Sequence, residues 1–272
     1  MKSFSNKVAV ITGAGSGIGR ALAQQLSAEG AELALSDVNL KGLEETKVSL
    51  TGNGKVTLTQ LDVSDRIQFE QHTQDVIKDF GHADMLFNNA GVALAETVHD
   101  CSYEDFEWLM NINFWGVVYG TKSFLPHMLT RPEAAIINIS SIFGIIALPT
   151  QSQYNASKFA VRGFTESLRQ ELKDSDVFVG CVHPGGIKTN IVVNGRMHKS
   201  MVGEQTHIQQ IEEFNKMART TPEKAAQTIL NGVRKNKRRI LIGQDAKFMD
   251  RIQRLFPEKY TAIFGALLKL AR

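Results

Sequence analysis

Val8-Ala9-Val10-Ile11-Thr12-Gly13-Ala14-Gly15-Ser16-Gly17-Ile18-Gly19 is the stretch that decides the fold. Four apolar residues run into a glycine cluster, and the segment from Gly17 to Ala28 then keeps helical periodicity. A strand that enters a helix through a glycine turn exposes backbone N–H groups at the positive end of the helix dipole, where a pyrophosphate can be held. Neither G-x-G-x-x-G register fits; Gly13, Gly17 and Gly19 give the spacing T-G-x-x-x-G-x-G.

Further apolar runs occur at Leu33 to Leu35, Val56 to Leu61, Met85 to Phe87, Ile136 to Ile139, Val177 to Val182 and Ile240 to Ile242, making seven expected strands in all. Segments of helical period separate them, among them Asp65 to Phe80, Tyr103 to Met128 and Ser152 to Leu172, each too long for a hairpin turn. Strict β/α alternation predicts right-handed crossovers and a doubly wound, seven-stranded parallel α/β sheet of Rossmann type, filling one domain over residues 1–272. Two stretches depart from the alternation. Thr189 to Arg219, with Met197, Met201, Val202, Ile208, Ile211, Phe214 and Met217, is expected to be a lid or a packed flap. Residues 245–272 form an amphipathic C-terminal extension that could cover the protein's own core or an interface, with membrane docking ranked below both.

Composition sets outer limits. Hydrophobic content of 43% and charged content of 22% are those of an ordinary soluble globular chain, and no apolar run reaches membrane-spanning length. A net charge of +3 with no nucleic-acid motif gives no reason to expect a nucleic-acid partner. Met1 to Lys7 lacks the apolar core of a signal peptide, and two cysteines, Cys101 and Cys181, are too few for a disulfide framework, so a reducing cytoplasmic location is expected. Seven histidines scattered without ligand spacing predict no metal site.

Asp37 closes the second strand eighteen residues after Gly19, where a carboxylate can accept hydrogen bonds from the adenosine ribose diol. It would repel a 2′-phosphate, and neither Ser16 nor Val38 supplies a cation, so NAD is expected over NADP. Tyr154 and Lys158 lie four residues apart on one face of a helix. A neighbouring ammonium stabilises phenolate and is expected to lower the tyrosine's ordinary value of about 10, which suits a general acid/base. Ser141 stands thirteen residues upstream at the end of the fifth strand; Ser140 is its rival and would point to the opposite face.

Together these elements resemble the short-chain dehydrogenase/reductase family. Asn138-Ile139-Ser140-Ser141 and Tyr154-Asn155-Ala156-Ser157-Lys158 are similar to its serine and Y-x-A-S-K elements. Asn88-Asn89-Ala90-Gly91, Asn113 with Gly116, and Pro184-Gly185 with Thr189 match its N-N-A-G, N-x-x-G and P-G-x-x-x-T patterns. The resemblance runs from Lys7 to about Thr189 and implies roles residue by residue. Ser141 would polarise the substrate oxygen, Tyr154 would be the general acid/base, and Lys158 would bind the nicotinamide ribose and tune Tyr154. Asn113 would anchor a water linking Lys158 to solvent. Gly13, Ser16, Gly17, Ile18 and Gly19 would hold the pyrophosphate, Asp62 and Val63 would face adenine, and Asn89, Ala90 and Gly91 would line the cleft. Ile187 and Thr189 would hold the carboxamide, with Pro184 and Gly185 also at the cofactor.

An apolar set around the expected pocket, Ile142, Phe143, Gly144, Ile145, Ile146, Leu148, Ile191, Val192 and Met197, predicts a lipophilic alcohol or ketone as substrate. The alternatives are a 3-oxoacyl thioester reductase and a dinucleotide-binding sensor without turnover. The resemblance also implies a homotetramer or homodimer, paired through the helices carrying Asn113 and Tyr154.

Overall fold

The structure, a computed structural model, describes residues 1–200 and 206–270, and side chains as far as residue 265. Met201 and Val202 of the expected lid, and the side chains of Leu267, Leu268 and Leu270 in the extension, lie outside the described residues. The first unit is β1 (Val8–Thr12), α1 (Gly17–Ala28), β2 (Glu32–Asp37), α2 (Leu40–Val48) and β3 (Val56–Gln60). It continues through α3 (Arg66–Phe80), β4 (Met85–Asn88), the two-residue β5 (Leu94–Ala95), α4 (Tyr103–Met110), α5 (Gly116–Met128) and β6 (Ala134–Ile139). Then come α6 (Ser152–Glu171), β7 (Val177–Pro184), β8 (Arg196–Met197), α7 (His207–Met217), α8 (Pro222–Arg234), β9 (Arg239–Ile242), α9 (Gln244–Leu255) and α10 (Tyr260–Leu270).

All seven expected strands pair in parallel, in the order β3-β2-β1-β4-β6-β7-β9. The order reverses between β1 and β4, so the loops leaving those two strands diverge and open a crevice at their carboxyl ends. Both faces of the sheet are covered. Alternation along β1 sends Ala9 and Ile11 to a core shared with Leu22 and Leu26 of α1 and Ile229 of α8, and Val10 to a core with Phe69, Phe124 and Leu168. Each fully buried Leu or Phe contributes roughly 1.5–3 kcal/mol, which makes these two cores the frame that fixes the crevice.

Helix starts follow their side-chain signals. Asn39 caps α2, Asp65 caps α3, Ser102 caps α4, and Thr221 with Pro222 opens α8. Ser16, at the start of α1, makes no such cap.

Two features differ from the sequence expectation. The segment from Tyr103 to Met128 is not one regular helix: a π-type turn over Asn111–Trp115 separates α4 from α5. The wider turn buries the Asn113 carboxamide, where a hydrophobic-period reading sees only continuity. A small second sheet pairs β5 with β8, tying the stretch after β7 to the stretch after β4. In the C-terminal extension, Ala246 and Phe264 are buried with Ile142, Ile145 and Ile146, which is packing onto the protein's own body. No helix among the described residues is long and apolar enough to cross a membrane.

Candidate active site

The glycine turn is built by close contacts that exclude side chains. Gly13 and Gly17 adopt left-handed backbone with φ +66° and +51°. A Cβ on Gly19 would stand 2.1 Å from the Gly13 carbonyl oxygen, and one on Gly17 would meet Thr189 Cγ2 at 3.0 Å. The first contact presses α1 against the turn, and the second shows Thr189, from the loop after β7, facing the same turn. Ile18 packs on the core behind it. Asn89 closes the floor, its Nδ2 donating to the Thr12 oxygen at 2.9 Å and the Gly13 oxygen at 3.1 Å. Thr12 Oγ1 accepts from the amides of Asn89 and Ala90.

Asp37 faces the turn from the end of β2. Its carboxylate accepts from the amides of Gly15 and Asn39, both at 2.9 Å, while Asn39 rather than Asp37 caps α2. Arg20, a nearby cation, is occupied by Gly15 O, Thr46, Gly42 O and Glu45. Asp62 is exposed and turned back onto Ser64, and Val63 packs where a Cβ on Gly116 would touch its Cγ2 at 2.9 Å. Across the crevice Pro184 ends β7. Gly185 donates to Ile242 O and Ile187 is buried, bridged to Thr220.

The catalytic candidates meet deeper in. Tyr154 and Lys158 rise from the first turns of α6, 8% and 3% exposed, with Lys158 Nζ 5.6 Å from the Tyr154 ring centroid. Lys158 Nζ also donates to Ile139 O at 3.1 Å. Adjacent serines divide as strand geometry requires. Ser140 Oγ turns to α6 and donates to Lys158 O at 2.8 Å, whereas the Ser141 side chain hydrogen-bonds Tyr154 and accepts from Phe143 N at 3.1 Å. Asn113, fully buried, exchanges two bonds with Val92 and donates to Ser157 at 3.2 Å. Gly91 lies between it and the lysine, since a Cβ there would be 3.1 Å from Asn113 Oδ1 and 3.4 Å from Lys158 Nζ.

The electrostatics correct one expectation. Burial pushes the Tyr154 phenol up to about 12, only partly offset by the Ser141 hydrogen bond, and burial brings Lys158 down to about 8. In the protein alone, burial rather than the neighbouring lysine sets the direction of the phenol's shift. The expected lining divides. Ile142, Ile145 and Ile146 pack with Ala246 of α9 and Phe264 of α10. Phe143 and Ile191 cluster with Tyr154, joined by Leu94, Leu109, Val92 and Trp108.

Three residues outside the expected set support the site. Thr12 and Ser157 bridge its members as described, and Asn155 Nδ2 donates to Phe143 O at 2.8 Å and Ile146 O at 2.7 Å, fastening the Ser141 loop to the tyrosine helix. Their signal was their place inside the motifs; only tertiary contact reveals the partner.

Comparison with known proteins gives the family. The profile described as short chain dehydrogenase matches residues 7–200. The chain is 46% identical over 271 residues to a Mycobacterium tuberculosis protein named as an oxidoreductase, SadH, covering 98% of this chain and 96% of that one. The chain belongs to the short-chain dehydrogenase/reductase family. Among relatives of this family it is 34% identical over 242 residues to mouse dehydrogenase/reductase SDR family member 7B, covering 87% of this chain and 73% of the relative. A Burkholderia phymatum short-chain dehydrogenase/reductase solved in complex with NAD superposes with a TM-score of 0.85 at 28% identity, covering 95% and 96% of the two chains. Levodione reductase superposes with a TM-score of 0.80 at 30% identity, covering 90% and 99%.

Proposed function

We propose that this protein is an NAD-dependent oxidoreductase that interconverts a lipophilic secondary alcohol and its ketone. The observation that carries the proposal is the buried cluster in which Tyr154 has Ser141 on its hydroxyl and Lys158 beside its ring. When bound, NAD accepts or returns the hydride. Ser141 donates to the substrate oxygen, and Tyr154 takes the alcohol proton or returns it to the ketone. Lys158 holds the nicotinamide ribose and favours phenolate, and Asn113 holds a water on the route to Lys158.

The cradle suits a dinucleotide because its contacts leave no room for side chains at Gly13, Gly17 or Gly19. Ser16 to Gly19 receive the pyrophosphate, Asp37 the adenosine ribose, Asp62 and Val63 the adenine. Asn89, Ala90 and Gly91 line the cleft, and Ile187 and Thr189 meet the carboxamide, with Pro184 and Gly185 also at the cofactor. Asp37 and the engaged Arg20 favour NAD over NADP. The aromatic and aliphatic cluster around Tyr154 favours a lipophilic substrate, over which the described parts of the stretch after β7, residues 189–200 and 206–219, act as a lid. Trp115 and Phe159, 43% and 41% exposed on the α4–α5 and α6 surfaces, are candidates to be covered in a homodimer or homotetramer, and the free Cys101 and Cys181 suit a reducing cytoplasm.

NADH absorbance followed against a panel of lipophilic alcohols, hydroxysteroids, acyl thioesters and polyols tests the reading. Turnover that survives Tyr154→Phe refutes the mechanism. Tight NADH binding with no turnover favours the sensor, better turnover with NADPH overturns the Asp37 argument, and light scattering on the eluting protein reads the oligomer.

A further inference from the structure

Behind Ser141, away from the substrate side, His183 of β7 is fully buried, and its Nδ1 lies 3.1 Å from the Ser141 carbonyl oxygen. A carbonyl oxygen only accepts, so Nδ1 carries the proton. Nε2 is buried with no hydrogen-bond partner among the described residues. Burial is the main opponent of a second proton on the ring, and the guanidiniums of Arg239 of β9 and Arg162 of α6 add to it against the weaker pulls of the Ser141 carbonyl and Glu166 of α6. One neutral tautomer is therefore selected, with its single N–H aimed at the serine's peptide group.

We infer that His183 is a positioning residue for Ser141, holding the serine's peptide plane so that its hydroxyl meets Tyr154. The inference rests on the oxidoreductase reading proposed above. Ser141 caps the short 3₁₀ turn Ile142–Gly144, and its carbonyl accepts from Gly144 N at 3.0 Å as well as from His183. Its neighbour bridges both sides, since Ser140 N donates to Val182 O of β7 and Ser140 Oγ to Lys158 O of α6. The end of β6 is thus held by α6 and β7 through Ser140, and the Ser141 peptide itself by His183. Without the His183 bond the Ser141 peptide can rock, and displacements of a fraction of an ångström at a reacting group cost about ten- to a hundredfold in rate.

Three substitutions separate position from volume. Asparagine branches at Cγ as histidine does and presents Nδ2–H to the same carbonyl; glutamine presents its donor one carbon further out; leucine fills space with no donor. His183→Asn is expected to keep kcat within about threefold, while His183→Gln and His183→Leu lose about ten- to a hundredfold in kcat. NADH affinity by fluorescence and Tm are expected to hold in all three. Equal loss in Asn and Leu variants of unchanged Tm, or full activity in the Leu variant, overturns the role. Nitrogen-15 spectra of histidine-labelled protein, with His183→Asn for assignment, give a readout independent of turnover: an Nδ1–H neutral ring is expected at neutral pH, and an Nε2–H ring overturns the proposal. Absence of turnover in the wild-type protein with the Nδ1–H ring in place would instead overturn the oxidoreductase reading, and the positioning role with it.

Discussion

Replacing Lys158 by methionine removes a buried cation while nearly conserving volume, and its consequence for Tyr154 can be worked from the structure. At an effective dielectric of about 20, a charge 5.6 Å from the ring is worth ~3 kcal/mol, or about two pH units on the phenol. The reactive form for alcohol oxidation is phenolate beside ammonium. Below about pH 8 the lysine is protonated, so wild-type activity rises about tenfold per pH unit, some hundredfold above Lys158→Met. Above about pH 8 the resting pair has already lost the lysine proton. Reaching phenolate–ammonium then needs only an internal transfer, and the wild-type rate levels off. The variant, with no lysine to titrate, keeps climbing, so its hundredfold deficit closes over the two pH units above the lysine's own value and the profiles converge at roughly pH 10. Initial rates of NADH formation with saturating cofactor, taken across this range, provide the assay. A ratio that stays constant with pH, or a break near pH 8 that persists in Lys158→Met, would refute the reasoning. Loss of the bond to Ile139 O costs about 1 kcal/mol, so circular dichroism should show a folded variant.

Other perturbations probe the frame. His72, wedged between Phe69 and Phe124 with neither ring nitrogen hydrogen-bonded among the described residues, is held by burial down to about 4 from its ordinary 6.5. The unfolded chain therefore takes the proton first, so stability is flat above about pH 6.5 and falls by up to ~3 kcal/mol toward pH 4; His72→Leu should flatten much of that slope in urea titrations, and an unchanged slope sinks the assignment. Gly19→Ala puts a methyl 2.1 Å from the Gly13 oxygen, and shifting the turn should cost ~1–3 kcal/mol and weaken NADH binding at least tenfold by fluorescence; retained affinity would remove the turn from the cofactor site. Arg196 pairs with Asp105 and stacks 4.0 Å from Trp108, so Arg196→Ala should loosen β8 and raise the substrate KM several-fold, about 1–2 kcal/mol, with NADH affinity unchanged. An unmoved KM would argue that β8 does not cover the substrate.

What the sequence disclosed, and what it withheld, follows from the range of the forces involved. Strand runs such as Val8 to Ile11 and the glycine turn are local signals, readable because period and backbone freedom act within a few residues. Tyr154 and Lys158 were readable for the same reason, being one helical turn apart. The lining was not. Ile142, Ile145 and Ile146 have the composition of a pocket wall, and only the arrival of Phe264, more than a hundred residues later, turns them into core. The same limit hid the bond from His183 to Ser141, which spans 42 residues.

The π turn at Asn113 is a different case. A regular helix there would satisfy local propensity, yet the chain adopts a wider turn and buries an amide against Val92, Ser157 and, through Gly91, the lysine. Left-handed Gly13 and Gly17, the desolvated Lys158 and this turn all face the crevice between β1 and β4. Local rules are broken where they cost stability, and the sheet beneath supplies it: β1, β4 and β6 are buried along their whole length. Next to Tyr154, a lysine buried at a cost and a helix widened to bury an amide suit a site that performs chemistry better than one that only binds.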